Sequence, residues 1–208
     1  MFRDRTDAGR LLGAEVRERL APASASTIVL GLPRGGVPVA AEVARALGCE
    51  LDVLVVRKVG YPSNPEVAYG AIGPDGVVVT SAGESGPLDG GLERIRSREL
   101  DELVRRERLY RAGRPPHDLR GRRAIVVDDG IATGATAAAA VRAARALGAA
   151  EVVVAVPVAA PDARDRLSAS ADTVIVLESP AAFWAVGQWY RDFAQTSDRE
   201  VLAVLDGG

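Results

Sequence analysis

Residues 125–136 have the sequence IVVDDGIATGAT, and this stretch decides the fold. Three apolar residues lead into two adjacent acids, Asp128 and Asp129, and a loop of small residues then enters an alanine-rich segment. The pattern predicts a buried β-strand, a tight loop and a helix. Strands that are apolar on both faces are typical of parallel sheets covered by helices on both sides. We therefore expect an α/β fold in which the two acids lie at the carboxyl end of a strand.

The same alternation of apolar runs and helical patterns extends along most of the chain. It predicts strands at residues 27–32, 51–56, 124–128, 151–158 and 173–177, and helices at residues 37–47, 136–147 and 163–169. A long insertion at about residues 60–123 contains a β segment near residues 67–80 and a charged helical stretch. We expect one domain over residues 1–208, built on a doubly wound, mainly parallel sheet.

The loop after the acids has the chemistry of a phosphosugar site. Backbone N–H groups at residues 132–136 would lie at the positive end of the following helix, and Thr133 and Thr136 add hydroxyl donors. Gly134 permits a close approach of the backbone. Carboxylates such as Asp128 and Asp129 accept hydrogen bonds from vicinal hydroxyls and also bind Mg²⁺. A P-loop is excluded because Ala135, not lysine, follows Gly134.

The stretch resembles the signature for phosphoribosyl pyrophosphate (PRPP) in the type I phosphoribosyltransferases. The resemblance implies that fold, with a small hood formed by the chain ends, mainly residues 179–208. It also implies that Asp128 and Asp129 contact the ribose. The part implied to bind the 5-phosphate comprises Gly130, Ala132, Thr133, Gly134, Ala135 and Thr136. The runs RKVGYPSNPEVAYGAIG and PAAFWAVGQWYRDFAQTSDREV further resemble a group of phosphoribosyltransferases without an assigned substrate, some of them fused to hydrolase domains.

Two short segments after the first and second strands resemble the pyrophosphate-binding positions of that family. Arg34 and Gly35 lie in PRGG at residues 33–36, and Arg57 and Lys58 follow the second strand. Lys58 is the only lysine in the chain. Cations and glycine N–H groups gathered at neighbouring strand ends would neutralise a diphosphate leaving group. We therefore expect these four residues to bind the pyrophosphate part of PRPP.

The resemblance implies transfer of a phosphoribosyl group from PRPP to a base or amine, with Mg²⁺ as the cofactor. Asp128 and Asp129 would be catalytic, holding the ribose and favouring the positive charge that develops on it, and would be the metal ligands. Enzymes that act on 6-oxopurines carry an acid where this chain has Ala132, which disfavours guanine and hypoxanthine as acceptors. Glu66 is a weak candidate for the proton acceptor. The acceptor itself stays open.

Aromatic residues concentrate in the tail of a chain that is only 4% aromatic. Trp189 and Tyr190 are the candidate acceptor-binding residues, because flat rings stack on bases. Packing of these rings within the hood is the alternative interpretation.

Composition limits the remaining functional classes. The net charge of -2 gives no basic field for nucleic acid, and no apolar run is long enough to span a membrane. A single cysteine and the absence of a signal-peptide pattern predict a cytoplasmic protein, and the family resemblance suggests a homodimer. Two further functions stay open: a PRPP- or nucleotide-sensing regulator without turnover, and an enzyme that cleaves nucleotides with the same ribose phosphate loop.

Overall fold

A computed structural model describes residues 1–20, 26–61, 64–74, 76, 78–80 and 90–207, with the backbone alone for residues 58, 64–69, 71, 78–80 and 90. Its main sheet has five parallel strands in the order β2-β1-β6-β7-β8. The strands are β1 (Thr27–Gly31), β2 (Glu50–Val53), β6 (Arg123–Val127), β7 (Glu151–Val158) and β8 (Thr173–Glu178). The predicted α/β class and parallel sheet are confirmed.

Helices cover both faces of this sheet, as the apolar strands require. Helices α1 (Arg5–Arg19) and α2 (Gly36–Leu47) pack on one face, and α4 (Ala135–Ala146) and α5 (Pro161–Ser168) on the other. Successive strand residues point to opposite faces, so Ile125 packs with α1 and α2 whereas Val126 packs with α4 and α5. The sheet is therefore doubly wound.

Helix α1 was not predicted from the sequence. Asp4 caps it by accepting a hydrogen bond from the N–H of Asp7, and it packs against α2 through two glycines. A Cβ on Gly9 would lie 2.9 Å from Cβ of Glu42, and one on Gly13 would lie 2.8 Å from Cβ of Ala46. Small residues thus bring the two helices together without the broad apolar stripe that marks most amphipathic helices.

The insertion forms a second layer beside the main sheet. It contains the antiparallel strands β3 (Arg57–Tyr61), β4 (Asn64–Ile72) and β5 (Val78–Thr80), followed by α3 (Gly90–Arg111). The antiparallel sheet begins at Arg57, before the expected start at residue 60, and two strands occupy the predicted β segment. Arg111 ties α3 to β2 through an ion pair of 2.9 Å with Asp52.

The tail after β8 returns across the carboxyl ends of the strands. It contains a short 3-10 helix (Val186–Trp189) and α6 (Asp198–Asp206), which packs against α2 and α3. Phe2, before α1, forms a parallel bridge with Tyr190, so the two chain ends meet. No helix in the described residues is both long and apolar enough to cross a membrane.

The fold has a topological switch point between β1 and β6. From β1 the chain proceeds outward to β2, and after the insertion it returns to the other side of β1 as β6. Open α/β sheets bind ligands beyond the carboxyl ends of strands at such a point. Both the PRGG loop after β1 and the acid pair after β6 lie there.

Candidate active site

The acid pair follows β6 directly. The N–H of Asp129 donates to Oδ1 of Asp128 at 2.9 Å, and Oδ2 of Asp129 accepts a hydrogen bond of 2.8 Å from Nε of Arg5. Burial and the neighbouring Asp129 raise the pKa of Asp128 well above its ordinary value. Burial also raises the pKa of Asp129, but Arg5 opposes that shift. Asp129 is therefore the more readily ionised of the two carboxyls.

The PRGG loop lies against this acid pair, and its two glycine positions have no space for a side chain. A Cβ on Gly35 would be 2.0 Å from Oδ2 of Asp129, and one on Gly36 would be 2.6 Å from the carbonyl oxygen of Val127 and 2.8 Å from Cα of Asp128. The preceding Pro33-Arg34 peptide bond is cis. Two segments predicted to bind different parts of one ligand are thus in direct contact.

The loop after the acid pair is fixed to the end of β7. The N–H of Ile131 donates to the carbonyl oxygen of Val158, and the N–H of Ala160 donates to that of Ile131, both at 2.9 Å. Gly134 then takes a left-handed conformation, with a φ of 80°, before α4 begins. This φ favours glycine at the position.

The N-cap residue of α4, Gly134, has no side chain to cap the helix, and Oγ1 of Thr133 accepts a hydrogen bond of 3.4 Å from the N–H of Ala135. Thr133 and Thr136 are exposed there, as is Ala132. N–H groups in the first turn of a helix lack intrahelical acceptors, and with the helix dipole they form a favourable site for an anion such as phosphate. Arg166 on α5, which was not predicted as a site residue, donates to the carbonyl oxygen of Thr133 at 3.1 Å and adds a cation beside the loop.

The residues predicted to bind pyrophosphate have different environments. Arg34 is partly exposed at the start of the α2 region, with Nη1 3.9 Å from Oδ1 of Asp198. Arg57 begins β3, and its Nε donates to Oε2 of Glu99 on α3 at 2.8 Å. The backbone of Lys58 pairs with Ala71, but its side chain lies outside the described residues, as does that of Glu66. The structure therefore brings Arg34 and Gly35 to the strand ends and pairs Arg57 with an acid.

The two predicted acceptor-binding rings pack inside the hood. Tyr190 is 5% exposed, with its ring centroid 5.4 Å from that of Phe2 and 4.9 Å from that of Phe193. Its hydroxyl donates to the carbonyl oxygen of Asp129 at 2.5 Å. Trp189 is partly buried against the same cluster. In the described structure these rings support the hood from within.

Trp184 is another of the aromatic residues that concentrate in the tail, and within the described part of the hood it is the exposed aromatic residue, with 89% of its surface accessible. Oε1 of Gln188 accepts hydrogen bonds from the N–H groups of Trp184 and Ala185, each at 3.2 Å. The same turn lies over the acid-pair loop, because a Cβ on Gly130 would be 2.5 Å from Cγ1 of Val186. The turn that carries the exposed indole therefore packs against the acid-pair loop through Val186.

The donor set at the acid pair fits Mg²⁺ that arrives with a phosphorylated ligand. Within the described part of the chain, no cluster of three or more His, Cys, Asp or Glu side chains could hold a metal ion. Asp128 and Asp129 offer carboxylate oxygens, and Mg²⁺ in proteins commonly takes one or two carboxylates together with waters and substrate phosphates.

Comparisons with known proteins agree on one family. A family model described as Phosphoribosyl transferase domain matches residues 7–193. Two proteins from Mycobacterium tuberculosis strains CDC 1551 and H37Rv, each provisionally named as a phosphoribosyl transferase, are 53% identical to the chain over 210 residues. The match covers 99% of this chain and 46% of each relative, so the chain spans less than half of their length.

Solved structures extend the comparison. The crystal structure of TT1426 from Thermus thermophilus has a TM-score of 0.89 and 47% identity, covering 98% of this chain and 97% of that one. A hypothetical protein from Neisseria gonorrhoeae, crystallised with bound ppGpp, has a TM-score of 0.51 and 13% identity, covering 100% and 98% of the two chains. The second likeness concerns the fold alone.

Proposed function

The chain belongs to the phosphoribosyl transferase domain family, and from this we propose that it binds PRPP and transfers the phosphoribosyl group to a nitrogenous acceptor. The observation that carries the proposal is the contact between Gly35 and Asp129, in a loop that leads to the start of α4. A diphosphate loop, a ribose-binding acid pair and a phosphate loop then line one ligand in the order in which PRPP carries those groups.

Each part of the donor has a matching group in this proposal. The 5-phosphate binds the first turn of α4 with Thr133 and Thr136, and Arg166 adds positive charge behind the loop. The ribose hydroxyls donate to Asp128 and Asp129. The diphosphate lies at the PRGG loop, where Gly35 permits close backbone approach and Arg34 neutralises charge.

The reaction breaks the bond between ribose C1 and the diphosphate oxygen and forms a bond from C1 to the acceptor nitrogen. The electron pair of the broken bond leaves with pyrophosphate, and the acceptor loses a proton. Asp128 and Asp129 orient the ribose, and their negative charge favours the oxocarbenium-like transition state. Mg²⁺, when bound with PRPP, would be held by Asp128 and Asp129 and would neutralise the diphosphate. The proton acceptor is not assigned.

We further propose that Trp184 contacts the acceptor. Its indole is exposed, whereas the neighbouring rings of Trp189 and Tyr190 pack within the hood. Stacking recognises the flat face of a base without selecting one base, which suits a site whose loop has Ala132 where enzymes acting on 6-oxopurines have an acid. Arg57 and Lys58 stay predictions for pyrophosphate binding, because Arg57 would have to leave Glu99.

The direct test is calorimetric titration of the protein with PRPP and Mg²⁺, followed by a panel of bases and amines monitored for pyrophosphate release. We expect PRPP to bind and one acceptor class to release pyrophosphate. Binding without release for any acceptor would favour a sensing regulator, and release of ribose 5-phosphate from nucleotides would favour a nucleotide-cleaving enzyme.

A further inference from the structure

Arg5 is the first residue of α1, and it contacts one residue of the acid pair and two residues of the hood. Its Nε donates to Oδ2 of Asp129 at 2.8 Å, and its Nη1 donates to the carbonyl oxygen of Ala194 at 2.7 Å. The centre of its guanidinium lies 4.0 Å from the centroid of the Phe193 ring. Its side chain is only 13% exposed. The acid pair and the hood therefore share one cation.

Asp129, Arg5, Phe193 and Tyr190 form a continuous ring of contacts. Arg5 holds its carboxylate, and Tyr190 holds its carbonyl oxygen, while the rings of Tyr190 and Phe193 contact each other at 4.9 Å. Phe193 in turn carries the guanidinium of Arg5 on its face. A displacement of the tail would therefore disturb the hydrogen bonds to both the side-chain carboxylate and the backbone carbonyl of Asp129.

Other arginines near the start of the chain do not have this arrangement. Arg3 lies before α1, is 65% exposed and pairs with Asp7 in the first turn of that helix. Arg10 is 61% exposed and pairs with Glu42 on α2 at 3.5 Å. Arg5 alone of these three reaches the acid pair, with the planar fork of a guanidinium serving two acceptors in different segments. Arg10 therefore serves as a matched control on the same helix.

We propose that Arg5 is a positioning residue that couples the ribose-binding acid pair to the acceptor hood. Its ion pair fixes Oδ2 of Asp129 and leaves Oδ1, which accepts no hydrogen bond from a described residue, for the ribose. Its hydrogen bond to Ala194 and its cation–π contact with Phe193 make the order of the tail depend on the position of Asp129. This inference rests on the proposed function, since the ribose in question is that of PRPP.

The experiment measures PRPP affinity and tail exchange in the same variants of the full chain. Calorimetry with PRPP and Mg²⁺ gives the affinity of wild type, Arg5→Gln, Arg5→Lys and Arg10→Gln. Amide hydrogen exchange with and without PRPP gives the protection of Arg191 and Asp192, whose N–H groups donate to the carbonyl oxygens of Phe2 and Arg3 at 2.9 Å. Thermal unfolding identifies any variant that fails to fold.

We expect PRPP to slow exchange at Arg191 and Asp192 in wild type and in Arg10→Gln. Arg5→Gln should bind PRPP about tenfold or more weakly, because a charge-assisted bond to a buried carboxylate is lost, and should lose the PRPP-dependent protection. Arg5→Lys should retain affinity to within about threefold, since it keeps the charge, but lose most of the protection, because one ammonium cannot replace the fork. If Arg5→Gln does not fold, the proposal is tested by the PRPP-dependent protection of the tail in Arg5→Lys.

Two results would overturn the proposal while leaving the proposed function intact. One is PRPP affinity in Arg5→Gln equal to that of wild type. The other is tail exchange in wild type that does not respond to bound PRPP, or that responds equally in Arg5→Lys. A wild-type protein that does not bind PRPP at all would instead refute the proposed function, and the role of Arg5 with it.

Discussion

Gly35 and Asp129 approach so closely that a methyl group on Gly35 would lie 2.0 Å from Oδ2 of Asp129 and 3.2 Å from Nε of Arg5. Gly35 has an ordinary right-handed conformation, with φ of -62° and ψ of -31°. Its role is therefore to permit contact rather than to supply an unusual backbone angle. The contact joins the loops after β1 and β6 into one continuous surface.

The first prediction concerns that contact. Gly35→Ala should displace the Asp129 carboxylate and weaken PRPP binding about tenfold or more, because small displacements of positioning groups have large effects on a site. Calorimetric titration with PRPP and Mg²⁺ measures the loss. Gly207→Ala, at the exposed end of α6, is the control and should bind normally. Unchanged affinity in Gly35→Ala would show that this contact does not shape the site.

The sheet and the acid pair could be predicted because they depend on local patterns. Runs such as IVV before Asp128 are apolar on both faces, which is characteristic of parallel strands under two helical layers. The order of acids, glycine and threonines after that run also predicts a phosphate loop from neighbouring residues alone. The PRGG sequence also predicted Gly35 as a site residue, but it did not predict the contact of Gly35 with Asp129.

Helix α1 and Arg5 could not be predicted in the same way. The buried positions of α1 include Gly9 and Gly13, which contribute no apolar side chain to a periodic pattern. The hydrogen bond from Arg5 to Asp129 spans 124 positions of sequence and depends on how the chain ends meet. The tail raises a similar difficulty: its composition indicates an aromatic cluster, but only packing separates buried Tyr190 from exposed Trp184.

The second prediction concerns the acceptor. Trp184→Ala should raise the KM for the acceptor about tenfold, the scale expected for loss of one base–aromatic stack. The Kd for PRPP should not change, because the indole does not contact the acid pair. Kinetics with the base that releases pyrophosphate fastest provide the measurement. Trp184→Phe keeps a flat ring and should restore most of the affinity; an equal defect in the two variants would argue against stacking.

A third prediction concerns the attachment of the insertion. Arg111 is 10% exposed between Asp52 and Glu107, and burial raises the pKa of Glu107. Arg111→Met should lower the free energy of unfolding by about 3–5 kcal/mol, because two buried carboxyls lose their cation. Arg98→Met removes an ion pair with Glu99 in which the arginine side chain is 79% exposed. This variant should lower the free energy of unfolding by about 1 kcal/mol or less. Urea unfolding distinguishes the two.

The pH dependence of the Arg111→Met defect follows from the sign of the shift. A carboxyl whose folded-state pKa is raised favours the folded state at low pH, and this stabilisation is lost as pH rises through the folded pKa. Without Arg111, the pKa of Glu107 should rise further. The variant should therefore lose more stability at pH 8 than at pH 5, and a defect that is equal at the two pH values would contradict the account.

The fourth prediction is a gain of stability from loss of a site residue. Because the folded-state pKa of Asp128 is raised, this carboxyl stabilises the folded state at low pH, and that stabilisation is lost as the pH rises from the ordinary carboxyl pKa through the folded pKa. Asp128→Asn keeps an oxygen to accept from the N–H of Asp129 and removes the charge. Without ligand it should be more stable than wild type at pH 8, and the difference should shrink toward pH 4. Thermal unfolding across that range measures it, and a pH-independent difference would contradict it.

The most direct measurement is the affinity for PRPP, with Mg²⁺, of wild type, Asp128→Asn and Asp129→Asn by calorimetric titration. Wild type should bind, and each variant should bind about tenfold or more weakly, because hydrogen bonds from the ribose hydroxyls to a charged acceptor become neutral. Folding of the variants is checked by the thermal unfolding described for Asp128→Asn. Equal affinity in all three proteins, or no binding by wild type, would contradict the assignment of the acid pair to PRPP.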